Sequence, residues 1–185
     1  MKILIADDES IIRLGLKKML ENLGHEVVAA VNGREALKLA ERHQPDLAIF
    51  DIEMPFTDGL TAAQTLSRRQ PLPILILTAF SQQDLIEKAA DLPIQGYLVK
   101  PVKPEDLTAA LAVAQKRFAE SQALADKVGA LAESLENRKL IDRAKGKLMA
   151  TGLSEGEAYR GLQAYARQNQ ITVAAAARRL LNLEE

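Results

Sequence analysis

Five side chains in this 185-residue chain have the types and the order that phosphoryl chemistry needs: Asp7 and Asp8, then Asp51, Thr78 and Lys100. Each follows or ends a short apolar run, Lys2-Ile3-Leu4-Ile5-Ala6 before the acid pair and Leu47-Ala48-Ile49-Phe50 before Asp51. Carboxylates gathered at such ends repel one another unless a cation joins them. A small, hard cation with oxygen ligands, Mg²⁺, suits the set and is commonly shared with a phosphate. Thr78 offers a hydroxyl donor and Lys100 a point charge for phosphoryl oxygens. In-line attack by a carboxylate on phosphorus needs that combination: charge cancellation, an activated oxygen and donors for the equatorial oxygens.

The elements that must position these groups are legible from pattern. Strand candidates fall at 2–7, 26–31, 46–51, 73–78 and 95–99, rich in Ile, Leu and Val with few polar interruptions, as strands covered on both faces should be. Helix-period segments alternate with them, which predicts an α/β fold with a parallel sheet whose strand ends form the ligand crevice. A first helix near 9–22 carries Ile12, Leu16, Met19, Leu20 and Leu23 and ends at Gly24; a second opens at Asn32 with Glu35 three residues on and stops before Pro45. A third follows Asp58-Gly59 to about Arg69, a fourth starts at Ser81, and Pro104 opens a long last one.

From Leu107 the positions Leu111, Ala114, Phe118, Ser121, Ala125, Val128, Ala132 and Leu135 recur at alternating spacings of four and three. That seven-residue repeat predicts a connector that either pairs as a coiled coil or folds back on the chain's own domains. Beyond it, helices are expected over about 137–150, from Ser154 with Glu157 completing a capping box, and after Thr172. Leu140, Ile141, Ala144 and Leu148 are expected inward on the first, Ala158, Leu162, Tyr165 and Ala166 on the second, and Val173, Ala176, Ala177, Leu180 and Leu181 on the third.

Composition narrows the class. The absence of Cys excludes disulfides and thiolate chemistry, and two His make an imidazole zinc site improbable. With no leader pattern and no apolar stretch near membrane-spanning length, a cytoplasmic protein is expected. Net charge is −1 overall, yet residues 137–182 hold nine Lys or Arg against three acids, a net of +6, which favours a polyanion as partner for the C-terminal part.

The segments Leu4-Ile5-Ala6-Asp7-Asp8-Glu9, Ile49-Phe50-Asp51-Ile52-Glu53-Met54-Pro55, Ile76-Leu77-Thr78-Ala79 and Gly96-Tyr97-Leu98-Val99-Lys100-Pro101 resemble the receiver domain of two-component response regulators. The resemblance implies a five-stranded, doubly wound, flavodoxin-like receiver over 1–120, with Asp51 taking phosphate from a sensor histidine kinase. It also implies Mg²⁺ held by Asp7, Asp8, Asp51 and the backbone carbonyl of Glu53, phosphoryl contacts from Thr78 and Lys100, Thr78 and Tyr97 as switch residues, and a cis peptide at Lys100-Pro101. A haloacid-dehalogenase-type phosphatase is the competing enzyme reading. It wants Asp-x-Asp where this chain has Asp51-Ile52-Glu53, so a regulatory acceptor and not a turnover enzyme is expected.

The stretch Asn137-Arg138-Lys139-Leu140-Ile141-Asp142-Arg143-Ala144-Lys145-Gly146-Lys147-Leu148-Met149, followed by Gly152-Leu153-Ser154-Glu155 and Ala158-Tyr159, resembles the ANTAR domain of RNA-binding transcription antiterminators. That implies a three-helix output domain over 125–185, joined by a helical connector over 105–136, which binds hairpins of leader transcripts and promotes antitermination. Arg138, Arg143, Lys145, Lys147 and Arg160 are the candidate phosphate contacts, Tyr159 a candidate for stacking on an unpaired base, and Gly146 a point of close approach by RNA or another helix. A homodimer, at least when phosphorylated, would pair two output domains. The alternatives are a DNA-binding helix-turn-helix using Arg178 and Arg179, or a protein-interaction module without nucleic acid.

Overall fold

The computed structural model describes residues 1–79 and 92–182. The fourth helix expected from Ser81 begins outside the described residues. The chain divides into two compact units, Met1–Gln122 and Ala123–Glu185, the division falling inside the expected connector.

In the first unit β1 (Lys2–Ala6), α1 (Ser10–Asn22), β2 (Glu26–Ala30), α2 (Gly33–His43), β3 (Leu47–Asp51), α3 (Gly59–Arg69), β4 (Ile74–Thr78) and β5 (Gly96–Val99) follow one another. All four strand pairings are parallel and the order is β2-β1-β3-β4-β5, a doubly wound, flavodoxin-like sheet. β1 is the second strand in space, so connections leave it in opposite directions and a crevice opens past the ends of β1 and β3.

The two-residue period of the strands splits the core into two layers. Ile3, Ile5, Leu47, Ile49, Leu75 and Leu77 face α1, through Leu16 and Leu20, and the start of a helix from Pro104, through Leu107, Leu111 and Ala114. Leu4, Ala6, Ala48, Phe50, Ile74 and Ile76 face the small residues of α2 and α3, Ala36, Ala40, Ala62 and Ala63. Alanines there let the helices approach the sheet closely, and Phe50, fully buried, fills the space between.

Local punctuation is as the sequence predicts. Gly24 takes φ 81° after α1, Asn32 accepts from the Glu35 amide at 2.9 Å while Glu35 Oε2 accepts from Val31 N at 2.8 Å, and Asp58 accepts from Thr61 N at 2.8 Å. Leu23 and Ile12 are not core positions, however; Leu23 is exposed and Ile12 half-buried, because α1 turns only Leu16 and Leu20 fully onto the sheet.

One helix, α4, runs from Pro104 to Met149 without a break. The separate helix expected over 137–150 is therefore the end of α4: nothing between Leu135 and Asn137 interrupts helical hydrogen bonding, since neither Gly nor Pro stands there. The heptad positions split in burial. Leu107, Leu111 and Ala114 belong to the first unit's core, whereas Ser121, Ala125, Val128, Ala132 and Leu135 are exposed. In the second unit α5 (Glu155–Gln168) begins at the predicted Ser154–Glu157 capping box and α6 (Val173–Leu180) at Thr172, whose hydroxyl accepts from Ala175 N at 3.1 Å. Its core is thin: Ala144, Leu162, Ala166, Ala176 and Ala177 are fully buried, with Leu140, Ile141 and Leu148 packed around them. Tyr165 departs from its expected inward place and is 44% exposed.

Candidate functional site

The crevice at the strand ends collects the acidic residues. Asp7 lies one residue past β1 and Asp51 ends β3; both are buried, while Asp8 and Glu53 are exposed beside them. Asp7 is pinned by its backbone as well as its side chain. Its amide donates to Ala30 O at 3.3 Å, its carbonyl accepts from Arg13 Nη1 at 2.6 Å, and its Oδ1 accepts from Glu9 N at 2.8 Å. Lys100, directly after β5 and only 16% exposed in its side chain, places Nζ 3.0 Å from Asp7 Oδ2, 3.0 Å from Asp51 Oδ1 and 3.6 Å from Glu9 Oε1. A cleft of about 260 Å³ opens over this group, lined by Asp8, Glu9, Asp51, Glu53, Ala79 and Lys100.

Electrostatics follow from that crowding. Burial pushes the Asp51 carboxyl up from its ordinary 3.8 to about 6; Lys100 opposes the rise, and Asp7 and Asp8 add to it. Burial by itself would lower the Lys100 pKa, but the contacts and charges of Asp7 and Asp51 outweigh it and the net shift is upward, so Lys100 stays a cation. One oxygen from each of Asp7, Asp8 and Asp51 lies within 4.8 Å of the others. Asp7 Oδ2, buried, has no hydrogen-bond donor among the described residues, although the Lys100 ammonium faces it as an ion-pair partner. Converging hard oxygen donors with an unsatisfied lone pair fit a small divalent cation.

Thr78 ends β4, buried, its hydroxyl donating to Ala79 O at 3.0 Å. Tyr97 sits in β5 opposite Ile76, half-buried against the α2–α3 layer, and desolvation raises its phenol pKa. The Lys100–Pro101 peptide is cis. The acid pair, Asp51 and Lys100 are thus brought together, Thr78 lies at the neighbouring strand end, and Tyr97 stands apart from them within the sheet.

Sequence reasoning missed the residues that hold this crevice in shape. Gly59 is read from sequence only as a helix start, yet a Cβ there would overlap the Asp51 carbonyl oxygen, and its amide donates to Ile52 O at 2.9 Å. A Cβ on Gly33 would likewise come too near main chain, 2.5 Å from Thr57 O. Glu9 and Arg13 were available only as the acid after the pair and a base four residues further on, a spacing with no meaning until α1 folds beside Asp7.

In the second unit Arg138, Lys139, Arg143, Gly146, Lys147, Tyr159 and Arg160 are exposed. Lys139, Arg143 and Gly146, spaced by four and three, share one helix face. Lys145 differs from the others, its ammonium 2.8 Å from Asp142 Oδ1 and 2.8 Å from Glu155 Oε1. Lys147 Nζ donates to Leu180 O at 2.8 Å, at the end of α6. A Cβ on Gly146 would meet nothing within 4 Å among the described residues, so no described helix explains that glycine.

Comparison with known proteins agrees with this division. The response regulator receiver domain matches residues 3–112 and the ANTAR domain matches 129–181. The transcriptional regulatory protein PdtaR of Mycobacterium tuberculosis is 45% identical over 174 residues, 93% of this chain and 85% of that protein. Among solved structures, the receiver domain of a modulated diguanylate cyclase from Desulfovibrio desulfuricans G20 matches at TM-score 0.60 and 30% identity, covering 65% of this chain and 97% of that one. The REC domain of AraT from Geobacillus stearothermophilus matches at TM-score 0.58 and 35% identity over 65% and 97%. Among the described residues no helix is long and apolar enough to cross a membrane. With a receiver crevice in its N-terminal unit, a basic helical C-terminal unit and a relative of the same two-part span, the chain belongs to the response regulators that carry an ANTAR output domain and regulate transcription through RNA.

Proposed function

We propose that Asp51 accepts a phosphoryl group from the phosphohistidine of a sensor histidine kinase, and that this controls binding of the output domain to hairpins of leader RNA and so transcription antitermination. The observation that carries the first half is the Lys100 ammonium, 3.0 Å from both Asp7 and Asp51. Asp51 Oδ attacks phosphorus as the P–N bond to imidazole breaks, and the electron pair leaves with the imidazole. Lys100 then exchanges its contact with Asp51 for phosphoryl oxygens, while Thr78 turns its hydroxyl from Ala79 O toward them. Asp7, Asp8, Asp51 and the Glu53 carbonyl would hold Mg²⁺, which supplies positive charge against the incoming phosphoryl oxygens. Movement of Thr78 changes the packing around Tyr97, the switch residue of the half-buried β5.

The second half is supported by the net charge of +6 over 137–182 and the exposed stripe of Lys139, Arg143 and Gly146. Arg138, Arg143, Lys147 and Arg160 contact phosphates, with Lys145 a lesser contributor because two carboxylates already neutralise it. Leu124, Val128, Leu131 and Leu135, all exposed at spacings of four and three, form a stripe along which two phosphorylated chains pair. We place the protein in the cytoplasm, where kinase and transcripts meet, and assign it no turnover activity of its own.

Intact-mass measurement with a small phosphodonor and Mg²⁺ tests the acceptor: wild type gains one phosphoryl group and Asp51→Asn gains none. Light scattering and RNA sequencing of co-purified transcripts, with and without phosphodonor, test the output. Unchanged assembly and unchanged RNA content on phosphorylation would remove the switch from this reading.

A further inference from the structure

The second unit contains an apolar groove of about 380 Å³ between the end of α4, α5 and α6. Its walls are Leu148, Leu153, Leu162 and Leu180, and Tyr165 and Arg179 also line it. Such a volume falls within the range of ligand clefts, roughly 300–1,000 Å³. Leu153 is 40% and Tyr165 44% exposed, so apolar and aromatic surface stands open to water in a unit whose core is already thin.

Gly161 lines this groove without a side chain. It occupies the middle of α5, where glycine weakens a helix relative to alanine. A Cβ there would meet nothing within 4 Å, so internal packing does not require its absence. A side chain at this position would fill the mouth instead.

We propose that this groove seats one unpaired base of the RNA hairpin loop, its ring against Tyr165 and the leucine walls, and its phosphate toward Arg179. The chemistry fits: unstacked loop bases are captured on aromatic rings and beside guanidinium groups, in apolar slots that water leaves readily. The charge of the unit, nine Lys or Arg against three acids over 137–182, suits a polyanion that carries such a base. Tyr165, rather than the Tyr159 singled out from sequence, is the stacking residue, since Tyr159 does not line the groove. The proposal rests on the RNA reading above and adds a seat for a base to a set of phosphate contacts.

The test uses the full chain with phosphodonor and a two-hairpin RNA selected by it from a pool with randomised loops. Fluorescence anisotropy across a salt series then gives affinity and salt slope. Gly161→Leu and Tyr165→Ala should each weaken binding roughly tenfold with the salt slope unchanged, because a stacked base and not a phosphate contact is lost. Tyr165→Phe should retain affinity. An abasic substitution at one loop position should weaken wild-type binding by a similar factor and cost Gly161→Leu nothing further. Wild-type affinity in Gly161→Leu, or full additivity of the abasic loss, overturns the groove as the seat while leaving the RNA reading intact. A change in assembled mass of the RNA-free protein on Gly161→Leu makes the groove a contact between copies and also overturns it. If the pool yields no binder to wild type, the RNA reading itself falls, and the inference with it. Should Gly161→Leu lower the melting temperature, Tyr165→Ala with the abasic RNA decides alone.

Discussion

The receiver crevice and the output unit hold their charges in opposite ways. In the crevice the acidic side chains are buried or crowded and cross-linked by one lysine, and Asp7 is held by the Glu9 amide at its side chain and by Arg13 at its carbonyl, so geometry is set before any ligand arrives. In the output unit the basic side chains stand largely exposed on helices over a small core, and Lys145 is drawn into a double ion pair. Bond-making chemistry needs the first arrangement, because a misplaced atom costs rate steeply. Recognition of a polyanion tolerates the second, because screened charges sum over many contacts without fixed geometry.

The largest effect should come from breaking the crevice's backbone. Gly59→Ala drives a Cβ into the Asp51 carbonyl, and the overlap with main chain rather than a flexible side chain should cost about 3 kcal/mol or more of stability in the first unit. Chemical denaturation followed by phosphodonor labelling checks both the loss and the displaced acceptor.

Asp51→Asn should act in the other direction on stability. Asp51 has a folded-state pKa near 6, above its ordinary 3.8, so the protonated form is the one that fits the fold. That stabilisation is complete below about pH 4 and is lost as pH rises through about 6. In metal-free buffer the neutral variant should therefore exceed wild type by up to about 3 kcal/mol near neutral pH, with the gap closing in acid. Denaturation curves that show no pH-dependent gap would refute the buried-charge account. Mg²⁺ should stabilise wild type and do less for the variant.

In the output unit the contrast is sharpened by two charge reversals. Arg143→Glu should lower RNA affinity about tenfold or more and reduce the salt slope by about one. Lys145→Glu should lower affinity less, because Asp142 and Glu155 already neutralise that lysine. Equal effects at the two positions would mean that RNA breaks the ion pairs on binding. The smallest effect belongs to Ser154→Ala, which removes the capping box of α5 and should cost about 1 kcal/mol in thermal unfolding, without touching phosphoryl uptake.

Legibility differed for the same physical reason. Strand ends, the capping pairs at Asn32 and Ser154, and the turn at Gly24 depend on a few neighbouring residues, and a linear reading finds them. The unbroken course of α4 past Leu135 was readable in principle, since neither Gly nor Pro intervenes, but the change of pattern at Asn137 resembles the start of a new helix. Tyr165 shares the helical period of Leu162 and Ala166, yet it lines the groove and is 44% exposed.

What the sequence by itself determined was the set of reacting groups, one per strand end, because apolar runs and their terminators fix where each strand stops. Tertiary structure alone decided that Lys100 bridges Asp7 and Asp51, that Arg13 grips the Asp7 carbonyl, that Gly59 must lack a side chain, and that Gly161 lines a groove. These are contacts between segments distant along the chain or brought together by a turn. Their distances come from packing, which no local period encodes.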